Sequence, residues 1–308
     1  MRRAFTAALL ELAERDRRIL LLTADLGFMV LEPFRDRFPE RFFNVGVAEQ
    51  NMVGMATGLA EAGFLPYTYS IAPFAVLRPH EFIRNGPILH RLPVRIVGVG
   101  GGFEYGPNGL SHFGLEDVSA MRTQPGITIV APADRQQARE AILKTWQLPG
   151  PVYYRLGKGD RATVPGLDGR FELGRAETLG DGTQALIIAM GPIALEAVAA
   201  MEALAARGIC CTTMIVSTLN PAPLEDLTRA LSHFPVAVTV EAHYVAGGLG
   251  SLVCEAVAEG GLRCRVARCG VAVVPRGEIG SQDYLERLYG IGKDAVMETV
   301  VRALRLVA

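Results

Sequence analysis

Glu49 is the residue of this chain whose position most needs a chemical explanation. It lies in Asn44-Val45-Gly46-Val47-Ala48-Glu49-Gln50-Asn51-Met52-Val53-Gly54-Met55-Ala56-Thr57-Gly58, just after an apolar run at 41–45. That run reads as a short buried strand, and the Gly, Ala and Met residues that follow read as a helix packed closely on its neighbours. The carboxyl therefore stands where strand becomes helix. One reading gives it a structural task, serving the free N–H groups and dipole of the helix start. Burial against the apolar helix start would instead disfavour its charged form. His112 is the second candidate, in Tyr105-Gly106-Pro107-Asn108-Gly109-Leu110-Ser111-His112. A loop rich in Gly and Pro is a poor setting for a core histidine. The ring is either an idle surface group or a hydrogen-bonding member of a site.

The elements that must position these groups alternate. Residues 4–14 have helical periodicity, 19–23, 94–99 and 127–130 are short β-branched or leucine-rich strand patterns, and Asp134 suits the N-cap of a helix reaching about 146. A further strand is expected at 152–155. The stretch 157–182 is glycine-rich and charged, with little apolar period, and reads as a linker. Alternation resumes with strands at 185–190, 211–216, 236–241 and near 265–268. Helices fall between them at 193–207 and 224–231, then after Gly247-Gly248-Leu249-Gly250 and from Lys293. The expected fold is α/β, with two domains, each a mainly parallel sheet flanked by helices, over 1–160 and 183–308 with a linker at 161–182. Gly247 to Gly250 suits either a phosphate cradle or close packing of helix on sheet.

Composition narrows the function classes. A chain of 308 residues with 50% hydrophobic content can bury a large core and has room for two domains. With 31 Lys and Arg against 32 Asp and Glu, nothing favours nucleic acid or another polyanion. Cys210, Cys211, Cys254, Cys264 and Cys269 show no paired metal-ligand spacing and read as buried thiols in a reducing, cytoplasmic setting. Charged residues between Glu11 and Arg18 interrupt any apolar run near the start, so neither a signal peptide nor a membrane span is expected.

Several ordered blocks together resemble the transketolase family across nearly the whole chain. They are Thr23-Ala24-Asp25-Leu26, the N-x-G-x-x-E-x-x-x-x-G pattern around Glu49, residues 66–74, the 105–112 loop, Ala131-Pro132-Ala133-Asp134 and Tyr154-Arg155-Leu156-Gly157-Lys158-Gly159. The resemblance is to the pyrimidine-binding and C-terminal domains. It implies that Glu49 is the catalytic acid holding N1' of thiamine diphosphate, with Phe74, Ile71, Asp25, Leu26 and Gln50 also around the cofactor. Phe74 matches the second aromatic of a P-x-x-x-x-F-x-x-F pattern, Ile71 replaces the first, and simple core packing of Phe74 is the alternative. His112 would act on the donor carbonyl. Asn108, Ser111 and Arg155 would join it at the substrate, Arg155 reaching a sugar phosphate unless it forms an ordinary ion pair. Arg2 or Arg3 would add a second contact. Gly100-Gly101-Gly102 stands where the family carries a cation, Asn108 replaces an aspartate and Leu110 a proline, which points away from ordinary pentose phosphates.

Gly180-Asp181-Gly182 mimics the G-D-G that opens a diphosphate and magnesium site, yet the next asparagine, Asn220, comes forty residues on, beside Pro221. A turn ahead of a strand explains it. The resemblance then implies no metal ligand in this chain, and a separate N-terminal subunit that carries the diphosphate and Mg2+ ligands, assembled with this chain as an α2β2 heterotetramer. The activity implied is transfer of a two-carbon ketol unit from a ketose to an aldehyde. The beta subunit of a 2-oxoacid dehydrogenase or another carboligase shares the same blocks, and a non-catalytic scaffold is the remaining alternative.

Overall fold

The computed structural model describes residues 1–159 and 163–307. The expected domain boundary at 160–161 falls outside the described residues. Among the described residues twelve strands form two sheets: β1 (Ile19–Thr23), β2 (Phe42–Asn44), β3 (Leu65–Ile71), β4 (Arg95–Val99), β5 (Thr128–Val130), β6 (Val152–Leu156), β7 (Ala176–Leu179), β8 (Ala185–Met190), β9 (Cys211–Val216), β10 (Thr218–Asn220), β11 (Val236–Tyr244) and β12 (Arg265–Val271). The first sheet runs β10-β5-β6-β4-β3-β1-β2 and the second β12-β11-β8-β9-β7. Every pairing of these strands is parallel except β10 on β5 and β7 on β9. Each residue of β1, β3, β4 and β6 is buried. Burial along the whole strand is what helices covering both faces of a sheet produce.

Helix Arg2–Arg15 buries Phe5, Leu9 and Leu12, and helix Glu49–Glu61 buries Met52, Val53, Ala56 and Ala60, a single stripe at helical spacing. Helix Arg135–Thr145 begins as expected, with the Asp134 carboxylate accepting from the Gln137 N–H at 2.8 Å. Among the described residues no helix is long and apolar enough to cross a membrane.

Three expectations change. The 41–45 run is not a buried strand: β2 is the edge of its sheet, with Phe43 and Asn44 exposed. The segment expected as linker holds β7, which pairs antiparallel with β9 and so belongs to the second sheet. Cys211, Cys264 and Cys269 are buried, but Cys254 is half-buried and Cys210 exposed.

Candidate functional site

Parallel strands bring their C-terminal ends to one rim, where open α/β sheets bind ligands. Asp25 follows β1, Asn44 ends β2, Ser70 and Ile71 end β3, and the loop after β4 leads to His112. Asn44 ties two of these ends together. Its side-chain oxygen accepts from the N–H groups of Asp25 at 3.0 Å and Gly46 at 3.1 Å, and its Nδ2 donates to the Asp25 carboxylate at 2.9 Å. Asp25 is thereby held at φ 56, and Gly46 at φ 73, in the left-handed region. An asparagine bonding locally is well suited to such a corner. The turn it fixes delivers the chain to Glu49, the first residue of its helix.

The Glu49 side chain is 2% exposed. It caps nothing: the Ser70 hydroxyl donates to Oε1 at 3.0 Å, and Arg78 Nη1 donates to Oε1 at 3.0 Å and Oε2 at 2.9 Å. The guanidinium carbon of Arg78 also lies 3.8 Å from the centroid of the Phe74 ring. Helix Ala72–Val76 explains this contact, because it carries Phe74 and continues in α-helical φ/ψ through Leu77, placing Arg78 one turn on, over the ring. His112 completes the chain of contacts. Its ring meets Phe74 edge-on with centroids 5.0 Å apart, lies 6.3 Å from Tyr105, and has Nδ1 3.0 Å from the Ser111 hydroxyl. Partial burial and the nearby Arg78 charge both lower the His112 pKa, outweighing a backbone hydrogen bond at Asn108. The imidazole is therefore neutral over more of the acid range than a free one, and can donate from one nitrogen while accepting at the other.

Glu49, Phe74 and His112 thus share one cluster through Arg78, and Ile71 is buried where β3 passes into the helix that carries Phe74. Asp25 and Gln50 are exposed at the rim and Leu26 half-buried, its N–H and carbonyl both held by the Thr23 hydroxyl. Asn108 and Ser111 are exposed on the His112 loop. Ser70 and above all Arg78 belong to the cluster without having been singled out from sequence. An arginine four residues after a candidate aromatic was the available signal.

Arg155 is elsewhere. Its side chain is 2% exposed and inside the molecule, Nε donating to Asp117 Oδ2 at 2.8 Å and Nη2 to the carbonyls of Gly114 at 2.8 Å and Ala242 at 2.9 Å. This is the ion-pair alternative, and the guanidinium is not placed to reach a substrate phosphate. Gly101 makes room for it, since a Cβ there would overlap the guanidinium. Arg2 is also engaged, Nε donating to the Lys158 carbonyl at 2.7 Å. Burial pushes the Asp117 carboxyl up, but the Arg155 cation, His243 and the bonds from Arg155 and Tyr153 outweigh it and hold it below the usual range.

The glycines of 247–250 serve packing. The Glu241 carboxylate accepts from the N–H groups of Leu249 at 2.7 Å and Gly250 at 2.8 Å, so the start of helix Leu249–Glu259 is already served from within. Gly180 turns at φ 81 between β7 and β8, and Gly182 packs where a Cβ would overlap the backbone at Cys210 and Cys211. Among the described residues no three His, Cys, Asp or Glu side chains gather as a metal site.

Residues 1–162 match the transketolase pyrimidine binding domain and residues 174–296 the transketolase C-terminal domain. The chain is 35% identical, over 99% of its own length and 96% of the relative's, to a putative transketolase C-terminal section of Methanocaldococcus jannaschii. It is 34% identical, over 99% of its length and 97% of the relative's, to one subunit of the apulose-4-phosphate transketolase of Phocaeicola vulgatus. Among solved structures it superposes on a split gene transketolase described as an inactive beta4 tetramer with a TM-score of 0.91, 36% identity and coverage of 100% of this chain and 99% of the other.

Proposed function

The chain belongs to the transketolase family, and from that premise we propose that it is the pyrimidine-binding subunit of a two-component, thiamine-diphosphate-dependent transketolase. The observation that carries this reading is the buried Glu49 carboxyl, joined through Arg78 to the Phe74 ring and on to the His112 imidazole, at the C-terminal rim of β1–β4. The residues fit an aminopyrimidine: an enclosed carboxyl oxygen for a ring nitrogen, an aromatic face for the ring and a half-buried histidine beside it. Thiamine diphosphate, when bound, supplies a carbon nucleophile for carbonyl chemistry. In this chain Glu49 would hold a proton toward the pyrimidine, Ser70 would keep that carboxyl in place, Phe74 and Ile71 would exclude water, and His112 would donate to a substrate carbonyl oxygen.

The diphosphate and Mg2+ would be held by a complementary N-terminal subunit. Relatives matched over almost their whole length are themselves named as a section or a subunit, which supports a divided enzyme. Phe28, Met29 and Val47, on the loops flanking Asp25 and Glu49, are 83%, 74% and 71% exposed, an apolar margin suited to that subunit in an α2β2 assembly. The substrates would be a ketose donor and an aldehyde acceptor. With Arg155 engaged inside and no side chain at Gly100 to Gly102, this chain offers little to a terminal phosphate.

The test is substitution of Glu49 in the reconstituted complex. Glu49→Gln should slow hydrogen–deuterium exchange at thiazolium C2 on the order of 10² to 10⁴-fold, the scale for losing a positioned proton-transfer group. An exchange rate equal to that of the unsubstituted complex would remove Glu49 from this role.

A further inference from the structure

An aminopyrimidine needs two things at this site, the Glu49 carboxyl and the face of Phe74, and the Arg78 guanidinium holds both. It is flat, it donates to both carboxylate oxygens at 3.0 and 2.9 Å, and its centre stands 3.8 Å over the ring. Arginine combines a planar π surface with N–H donors, so its guanidinium covers the same ring face and the same carboxyl oxygens that an aminopyrimidine would need, although it donates to an ionised Glu49 where the pyrimidine nitrogen would accept from a protonated one. The two cannot occupy one face of Phe74 and one pair of oxygens together.

Resting on the reading of this site as a pyrimidine seat, we propose that Arg78 is a built-in occupant of that seat, which an incoming aminopyrimidine must displace. The residue is placed for such an exchange. Its side chain is 42% exposed while that of Glu49 is 2% exposed, so the arginine can swing into solvent without opening the core. Among the described residues Glu49 is the acceptor of its hydrogen bonds, and it follows helix Ala72–Val76 at the turn before Pro79, where side-chain rotation disturbs no strand. A seat filled in this way lowers apparent affinity by the fraction of molecules in which it stands open. Full occupancy would then require an agent that draws Arg78 away or a ligand held at other points, and a diphosphate bound by a second subunit supplies the latter.

The experiment titrates the free pyrimidine half of the cofactor, 4-amino-5-hydroxymethyl-2-methylpyrimidine, into the full chain by NMR and calorimetry. Arg78→Ala should bind it at least about tenfold tighter than the unsubstituted chain, a change well beyond the loss of a weak surface contact. Arg78→Lys should fall between, because an ammonium keeps the charge but cannot lie flat on Phe74. Methylguanidinium should compete with the fragment in Arg78→Ala, and Glu49→Gln added to Arg78→Ala should abolish the gain. Arg78→Met, which keeps an apolar stem, serves as the opened variant if Arg78→Ala does not fold. Equal affinity in the unsubstituted chain and the opened variant, with Glu49→Gln weakening both, would overturn the occupant while leaving the seat. Binding indifferent to Glu49 in every variant would overturn the seat as well.

Discussion

His112 carries a signature of its surroundings that can be read without substrate. Burial and the Arg78 cation both lower its pKa, so its proton is lost on a rising titration before that of a free imidazole. In an NMR titration of ring protons, His112 should have a midpoint below that of a free histidine side chain, and Arg78→Ala should raise it. A midpoint left unchanged by Arg78→Ala would show that the ring does not feel this cation. The sign also matters for activity. A neutral imidazole is present above the midpoint, so a lowered midpoint extends its working range toward acid. At this scale Glu49, Phe74 and His112 were legible because each stands in a patterned block. Arg78 was not, because its part depends on a helix ending where the side chain returns over Phe74. Arg155 was misplaced for a related reason. Both faces of β6 are buried, so a position near a strand end does not say whether a side chain faces ligand or interior.

Between elements, Arg155 acts as a bolt. It joins Asp117, at the start of helix Asp117–Arg122, to the Gly114 carbonyl two residues beyond His112 and to the Ala242 carbonyl of β11 in the second sheet. His243 lies in the same layer, its Nδ1 2.7 Å from the Tyr244 carbonyl and its Nε2 accepting from the Ser119 N–H at 3.3 Å. Those partners select the neutral Nδ1–H tautomer, and burial pulls its pKa down to about 4. Removing one member of a buried pair strands the other charge, at a cost of about 3–5 kcal/mol. Arg155→Met and Asp117→Asn should each lower thermal stability by that order, and the double variant should lose less than the sum of the two. Strict additivity in denaturant unfolding would show that the pair is not coupled. Long, uniformly apolar strands such as β1 and β8 were visible in the sequence with their observed bounds. The short antiparallel β7 and β10 were not, because their identity comes from the neighbours they pair with and not from any period of their own.

Across the whole molecule, the seven-stranded sheet presents the candidate site at a rim margined by Phe28, Met29 and Val47. The chain supplies a carboxyl, an aromatic face and a histidine there, and its glycine-rich turns at 180–182 and 247–250 are filled by its own backbone and by Glu241. On the proposed reading, a pyrimidine seat whose diphosphate grip lies on another subunit would give little affinity for the intact cofactor, more so with Arg78 in place. Calorimetric titration of thiamine diphosphate with Mg2+ into the purified chain, alone and then with its complementary subunit, is the most direct measurement. The chain alone should give no saturable heat at micromolar cofactor, and the pair should bind with an affinity that Glu49→Gln weakens; micromolar binding by the chain alone would refute the divided site.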